Sequence, residues 1–220
     1  LLAASNLGTE DSGFKPFVSA TIEAIKIADK AYQREGSLSG LSTGLLDLDK
    51  KLGGLNASDL IIIAGRPSMG KTALATNIAF NIAKINMRDR DTPDVNLKSV
   101  GPVVGFFSLE MSSSQLASRI LSEASKVPSD QIRRGEMTED EFRRFVEAAQ
   151  QLENCSLFID DTAALPISTL TTRARRLKRT YGLDVLIVDY LQLVRPASAK
   201  DNRVNEISEI TQGLKAIAKE

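Results

Sequence analysis

The strongest constraint on this chain is the stretch from Leu60 to Thr72, LIIIAGRPSMGKT. Leu60–Ala64 is a short apolar run rich in isoleucine, the composition of a strand covered on both faces of a parallel sheet. Gly65–Thr72 then fits G-x-x-x-x-G-K-[ST], the phosphate-cradling P-loop pattern. The chemistry needs these residue types at this spacing. Gly65 and Gly70 let the backbone turn tightly and bring its N–H groups against phosphate oxygens, with Arg66, Pro67, Ser68 and Met69 completing the loop. Lys71 offers a point charge to the β- and γ-phosphates, and the Thr72 hydroxyl can ligate Mg²⁺. A helix starting there adds its positive N-terminal end.

Around this stretch, apolar strand-like runs alternate with helical patterns. Strands are predicted over Leu60–Ala64, Val103–Ser108, Leu157–Ile159 and Val185–Val188. Helices are predicted over Ala73–Ile85, Ser112–Lys126, Ile167–Tyr181 and Arg203–Glu220, and another opens at the Thr138/Glu141 capping box and runs to about Leu152. Such alternation specifies a parallel sheet with helices on both faces. Gly40–Leu60 mixes turn residues with regularly placed leucines and reads as turns around one short helix near Leu45–Leu52. Leu191–Asn202 reads as a loop, and Met87–Gly101 as a long charged one. Ahead of the core, Phe17–Arg34 carries Val18, Ile22, Ile25, Ala28 and Tyr32 on one face of a helix. That stripe needs covering, either by the chain's own core or by a neighbouring subunit. Leu1–Gly13 reads as a flexible lead-in.

In open parallel sheets, ligands sit beyond the carboxyl ends of the strands. Glu110, Asp160/Asp161 and Asp189 all fall there. The run DVLIVD over Asp184–Asp189 has the form of a Walker B strand, whose final Asp holds the Mg²⁺–water shell. The residue after it is Tyr190 rather than a Glu, so the general base has to come from elsewhere. Glu110 is the natural candidate; the alternative is an exposed Glu opening a helix. Asp160 and Asp161 suit capping or turning better than metal binding. Arg173, Arg175, Arg176, Lys178 and Arg179 share one helix, as a solvated face or as a contact to a neighbour or to nucleic acid.

Composition removes several function classes. Lys+Arg and Asp+Glu both total 28, so net charge gives no support for nucleic-acid binding and any such site must be local. There is no histidine, which excludes histidine metal sites and bases, and the single cysteine, Cys155, excludes an internal disulfide and suits a reducing cytoplasm. No apolar run approaches the ~20 residues needed to span a bilayer, so no membrane partner is expected. The chain starts Leu-Leu-Ala rather than with methionine and ends inside a helical pattern, which reads as a fragment.

Three motifs in order, RPSMGKT (66–72), SLEMS (108–112) and LIVDYLQL (186–193), resemble the motor domain of bacterial replicative DNA helicases, the DnaB type of RecA-like ATPase. Residues 40–60 resemble the segment leading into that family's P-loop, 202–220 its post-Walker B helix, and Phe17–Arg34 its linker helix. The resemblance implies an α/β RecA-like P-loop NTPase core, a parallel sheet flanked by helices, with a protruding linker helix before it. It divides the chain into a lead-in (1–16), a linker helix (17–36) and a partial ATPase domain (37–220). It further implies a homohexamer binding ATP and Mg²⁺ between subunits, translocation on single-stranded DNA, and primase and helicase-loader partners. By position, Gly65–Thr72 hold the nucleotide, Lys71 serves catalysis, Glu110 is the general base, and Thr72 and Asp189 serve the metal. Thr211-Gln212 stands where the family has Ser-Arg, and Met87–Gly101 is longer than the usual connection. The family's arginine finger has no counterpart here, so these residues alone are expected to hydrolyse ATP almost not at all. Two other readings of a P-loop remain: a small-molecule kinase, and a nucleotide-gated DNA-binding or recombination ATPase.

Overall fold

The computed structural model describes residues 16–32, 38–85, 101–153, 155–196 and 202–220. The predicted lead-in, the end of the first helix and nearly all of the Met87–Gly101 loop lie outside these. The chain divides into two units, Leu1–Ser39 and Gly40–Glu220. In the first, α1 (Phe17–Tyr32) is a helix whose apolar stripe is exposed: Phe17, Val18, Ile22 and Ile25 all face solvent.

The second unit runs α2 (Leu46–Leu52), α3 (Lys71–Ala83), β1 (Val104–Ser108), α4 (Ser113–Ser125), α5 (Ser129–Arg134), α6 (Glu139–Leu152), β2 (Leu157–Asp160), α7 (Ile167–Tyr181), β3 (Val185–Asp189) and α8 (Arg203–Lys219). Its sheet is parallel, in the order β2-β1-β3. β1 is buried along its whole length, as a central strand between two helical layers should be. Alternation along it assigns the two cores. Val104 and Phe106 pack with Ile78, Ala79, Ile82 and Ala83 of α3 and Leu116 of α4. Phe107 packs on the other side with Leu170 and Ala174 of α7 and Ile210 and Leu214 of α8. Gly105 lets α7 approach closely, because a Cβ there would stand 2.9 Å from Leu177 Cδ2.

Local signals set the helix boundaries. Ser112 with Gln115 and Thr138 with Glu141 form capping boxes that open α4 and α6, and the Asn202 side chain caps α8. Left-handed glycines close α2 at Gly53 and α5 at Gly135. The six-residue α5 is absent from the sequence reading, being too short to show a period. The expected loop after β3 contains a 3₁₀ turn at Leu191–Leu193.

One expected strand is not a strand. Leu60–Ala64 joins no sheet, and the isoleucines Ile61, Ile62 and Ile63 are 44%, 66% and 44% exposed. An apolar run marks a preference for cover on both faces, but sheet membership requires a neighbouring backbone at ladder distance. Among the described residues none pairs with this run, and β3 remains a sheet edge. Among the described residues the sheet therefore has three strands where the sequence suggested four.

Candidate nucleotide-binding and hydrolysis site

The P-loop pattern folds as a turn entering α3. Gly70 sits at φ 85° and serves as the N-cap of α3, and Ser68 also adopts a positive φ of 64°. That conformation explains the glycine at 70, since most side chains avoid it. Gly65 is different: its φ is not positive, and a Cβ there would meet only ordinary contacts, the nearest 3.6 Å away. The turn therefore does not itself demand glycine at 65, contrary to the sequence expectation. Lys71 Nζ donates to the carbonyls of Gly65 (3.0 Å) and Arg66 (3.2 Å), which holds the ammonium inside the curve of the loop. Arg66, Pro67 and Met69 are exposed around it, and Thr72 lies half-buried in the first turn of α3.

The start of α3 bears on its ligand. α4, α6 and α8 each satisfy first-turn amides with a capping side chain, whereas α3 and α7 have none and carry no acidic residue in the first turn; in α7 the Ile167 N–H is instead taken by the Arg195 carbonyl at 2.9 Å. The first intrahelical bond of α3 is Leu74 N–H to the Gly70 carbonyl, 2.9 Å. The amides of Lys71, Thr72 and Ala73 thus point outward at a helix N-terminus beside a lysine, the donor set for a polyphosphate.

The carboxylates lie at the strand ends, as expected. Asp189 ends β3 and is buried, opposite Ser108 in the β1–β3 register. The Leu109 N–H donates to the Asp189 carbonyl at 2.9 Å, so the turn carrying Glu110 is pinned directly to the end of β3. Glu110 is exposed and makes no hydrogen bond or ion pair among the described residues. An exposed, unpartnered carboxylate beside a buried one suits a base next to a metal-shell acid. Lys71, with Gly65–Thr72, enters the fold on α3, which packs on the same sheet.

Asp160 and Asp161 are occupied elsewhere. Asp160 pairs with Arg173 (2.6 Å) and accepts from the Thr162 N–H (3.0 Å). Partial burial pushes its carboxyl up, but the bonds from Arg173 and Thr162 outweigh this and hold it below the usual carboxylate range. Asp161 accepts from the Ser113 N–H at 2.7 Å, and that bond lowers its pKa. The basic helix α7 is likewise largely committed within the chain. Arg173 serves Asp160, Arg175 pairs with Glu220, and Lys178 donates to the Glu220 carbonyl at 2.7 Å. Arg176 and Arg179 are exposed and have no ion pair among the described residues.

Sequence reasoning passed over one contributor and gave a second, Asp161, its capping role without a partner. Ser108, buried, donates through Oγ to the Met111 carbonyl (2.8 Å) and closes the Glu110 turn. Asp161 holds the far end of that turn. The serines flanking Leu-Glu-Met were the available signal.

Comparison with known proteins fits this geometry. Residues 40–220 match the family described as DnaB-like helicase C terminal domain. The chain belongs to that family. Within it, the chain is 50% identical over 214 residues to the replicative DNA helicase DnaB of Rickettsia typhi, covering 97% of this chain and 42% of that protein. It is 36% identical over 208 residues to DnaB of Geobacillus stearothermophilus, covering 94% of this chain and 43% of that protein. The chain thus spans less than half the length of these curated relatives. The solved ATPase domain of G40P superposes with a TM-score of 0.78 at 29% identity, over 94% of this chain and 68% of that one. A DnaB-like replicative helicase, whose structure was described with its interactions with primase, gives 0.75 at 28% identity, over 96% of this chain and 47% of that one. The DnaB-family fold here is accordingly an α/β RecA-like one, with its parallel sheet flanked by helices.

Proposed function

We propose that this chain is the motor of an ATP-dependent replicative DNA helicase, with Gly65–Thr72 binding the nucleotide and Glu110 and Asp189 serving hydrolysis. The observation that carries the reading is the uncapped N-terminus of α3 beside Lys71, on the same sheet as the adjoining Glu110 and Asp189 strand ends. The amides of α3 and Lys71 bind the β- and γ-phosphates. Mg²⁺ would be held by the Thr72 hydroxyl and the Asp189 carboxylate, where it supplies charge neutralisation on the phosphates. Glu110 takes a proton from the attacking water as its oxygen bonds to the γ-phosphorus. The bond to the bridging oxygen breaks, leaving ADP and inorganic phosphate.

The wider reading follows the family. The motor works as a homohexamer on single-stranded DNA, with a primase and a loader as partners; a relative's structure described with its primase interactions supports the first of these partners. Residues 1–16 lead in, 17–36 form a linker helix and 37–220 belong to the ATPase domain. The exposed apolar stripe of α1 supports a docking role on a neighbouring subunit. A forked-duplex unwinding assay on the intact protein tests the proposal. ATP- and Mg²⁺-dependent strand separation, lost in Lys71→Ala, is expected. ATP turnover without strand separation would instead favour a nucleotide-gated DNA-binding ATPase, and phosphoryl transfer to a small molecule a kinase.

A further inference from the structure

Glu110 sits on a four-residue turn, Leu109–Ser112, between the end of β1 and the start of α4. Three hydrogen bonds fix that turn, and they come from three directions. The Leu109 N–H reaches across to the Asp189 carbonyl of β3, 2.9 Å. Ser108 Oγ closes it from below by donating to the Met111 carbonyl, 2.8 Å. From the opposite side of β1, Asp161 at the end of β2 accepts from the Ser113 N–H, 2.7 Å. The turn is thereby slung between both neighbours of its own strand.

Asp161 is not needed merely to start α4. Ser112 and Gln115 already form a reciprocal capping box there, with Ser112 Oγ accepting from the Gln115 amide and the Gln115 side chain accepting from the Ser112 amide. Asp161 adds a charged acceptor from a different strand, at a helix end where negative charge is favoured. Its neighbour Asp160 is tied to Arg173 and Thr162 instead, so the two adjacent carboxylates anchor different helices. Removing the Asp161 bond leaves the helix capped but frees the α4 side of the Glu110 turn from β2. Displacements near 1 Å at a reacting group cost up to about 10²-fold in rate.

We infer that Asp161 is a positioning residue for hydrolysis, holding the Glu110 turn at the height set by Asp189. The inference rests on the reading of Glu110 as the general base. The test compares Asp161→Ala, Asp161→Asn, Glu110→Gln and the Asp161→Ala/Glu110→Gln double variant in the intact protein, by steady-state turnover with single-stranded DNA, nucleotide affinity and thermal melting. Asp161→Ala should lower kcat about 3- to 30-fold, the range by which a lost cap shifts the equilibrium it holds. Nucleotide affinity should stay unchanged, and melting should fall by no more than the few degrees a lost cap costs. Asp161→Asn keeps an acceptor oxygen and should recover most of the rate. The double variant should be no slower than Glu110→Gln alone, since there is then no base to position. Unchanged turnover in Glu110→Gln overturns the base assignment, and the inference with it. A fall in Glu110→Gln with none in Asp161→Ala, or a multiplied loss in the double variant, overturns the inference alone.

Discussion

Replacing Asp49 by alanine should be the most damaging single change in the segment that leads into the P-loop. Asp49 is buried on α2, and its carboxylate accepts from the Thr43 N–H (2.8 Å), Thr43 Oγ1 (2.7 Å) and Ser42 Oγ (2.6 Å). Those hydroxyls in turn accept from the Leu45 and Gly44 amides, at 3.2 and 3.0 Å, so one carboxylate organises the whole turn. Alanine would orphan the fully buried Thr43 N–H, which costs about 1–3 kcal/mol, and would remove two hydroxyl bonds to a charge worth about 1.5–3 kcal/mol each before overlap. Because the three share one network, we expect about 3–5 kcal/mol in total, a fall in Tm of roughly 10 °C for a domain of this size. Urea unfolding should show a lower midpoint with an unchanged slope. Burial pushes the Asp49 carboxyl up, but the bonds from Ser42, Thr43 and Gly44 prevail and lower its pKa. A depressed folded pKa means its stabilisation is present above the ordinary carboxylate value and is lost as pH falls through the folded one. The stability gap between wild type and Asp49→Asn should therefore narrow in acid. A midpoint shift below about 1 kcal/mol in Asp49→Ala, or a gap that widens in acid, would refute the network.

Three further outcomes are expected. Gly40→Ala should destabilise by about 1–3 kcal/mol or more, because its Cβ would lie 2.4 Å from the Leu55 carbonyl oxygen, a backbone atom that cannot swing away; an unchanged unfolding midpoint would contradict this. Cys155 should alkylate roughly 10²-fold more slowly at pH 8 in the folded protein than in urea, since burial pushes its thiol up to about 11; equal rates would count against it. If the stripe of α1 docks on a neighbour, Ile22→Asp with Ile25→Asp should dissociate the oligomer of the intact protein and leave the circular dichroism unchanged, whereas an unchanged sedimentation profile would place the stripe elsewhere.

Most of the site could be read from residue order because it sits where local rules act. The Ser112 and Thr138 caps, the strand-end positions of Glu110 and Asp189, and the αL turn at Gly70 each follow from a few neighbouring residues. The reading failed where the outcome depends on distant partners. Leu60–Ala64 has the composition of a buried strand, yet pairing is a property of two segments, and this one finds no ladder among the described residues. The capping or turning roles expected of Asp160 and Asp161 hold, but that these adjacent carboxylates serve α7 and α4 separately is a matter of packing that the sequence did not disclose. The basic face of α7 looked like one feature. Arg173 turns out to be tied to Asp160, and Arg175 and Lys178 to Glu220, while Arg176 and Arg179 have no ion pair among the described residues.

The account stands on a division of labour between Lys71, which binds phosphate, and Glu110, which activates water. Nucleotide affinity and single-turnover hydrolysis, measured side by side for Lys71→Ala and Glu110→Gln in the intact protein, test that division directly. Lys71→Ala should abolish tight ATP–Mg²⁺ binding. Glu110→Gln should retain affinity while hydrolysis slows by about 10²–10⁴-fold, the usual contribution of a positioned base. Hydrolysis at the wild-type rate in Glu110→Gln, or an unchanged nucleotide affinity in Lys71→Ala, would contradict it.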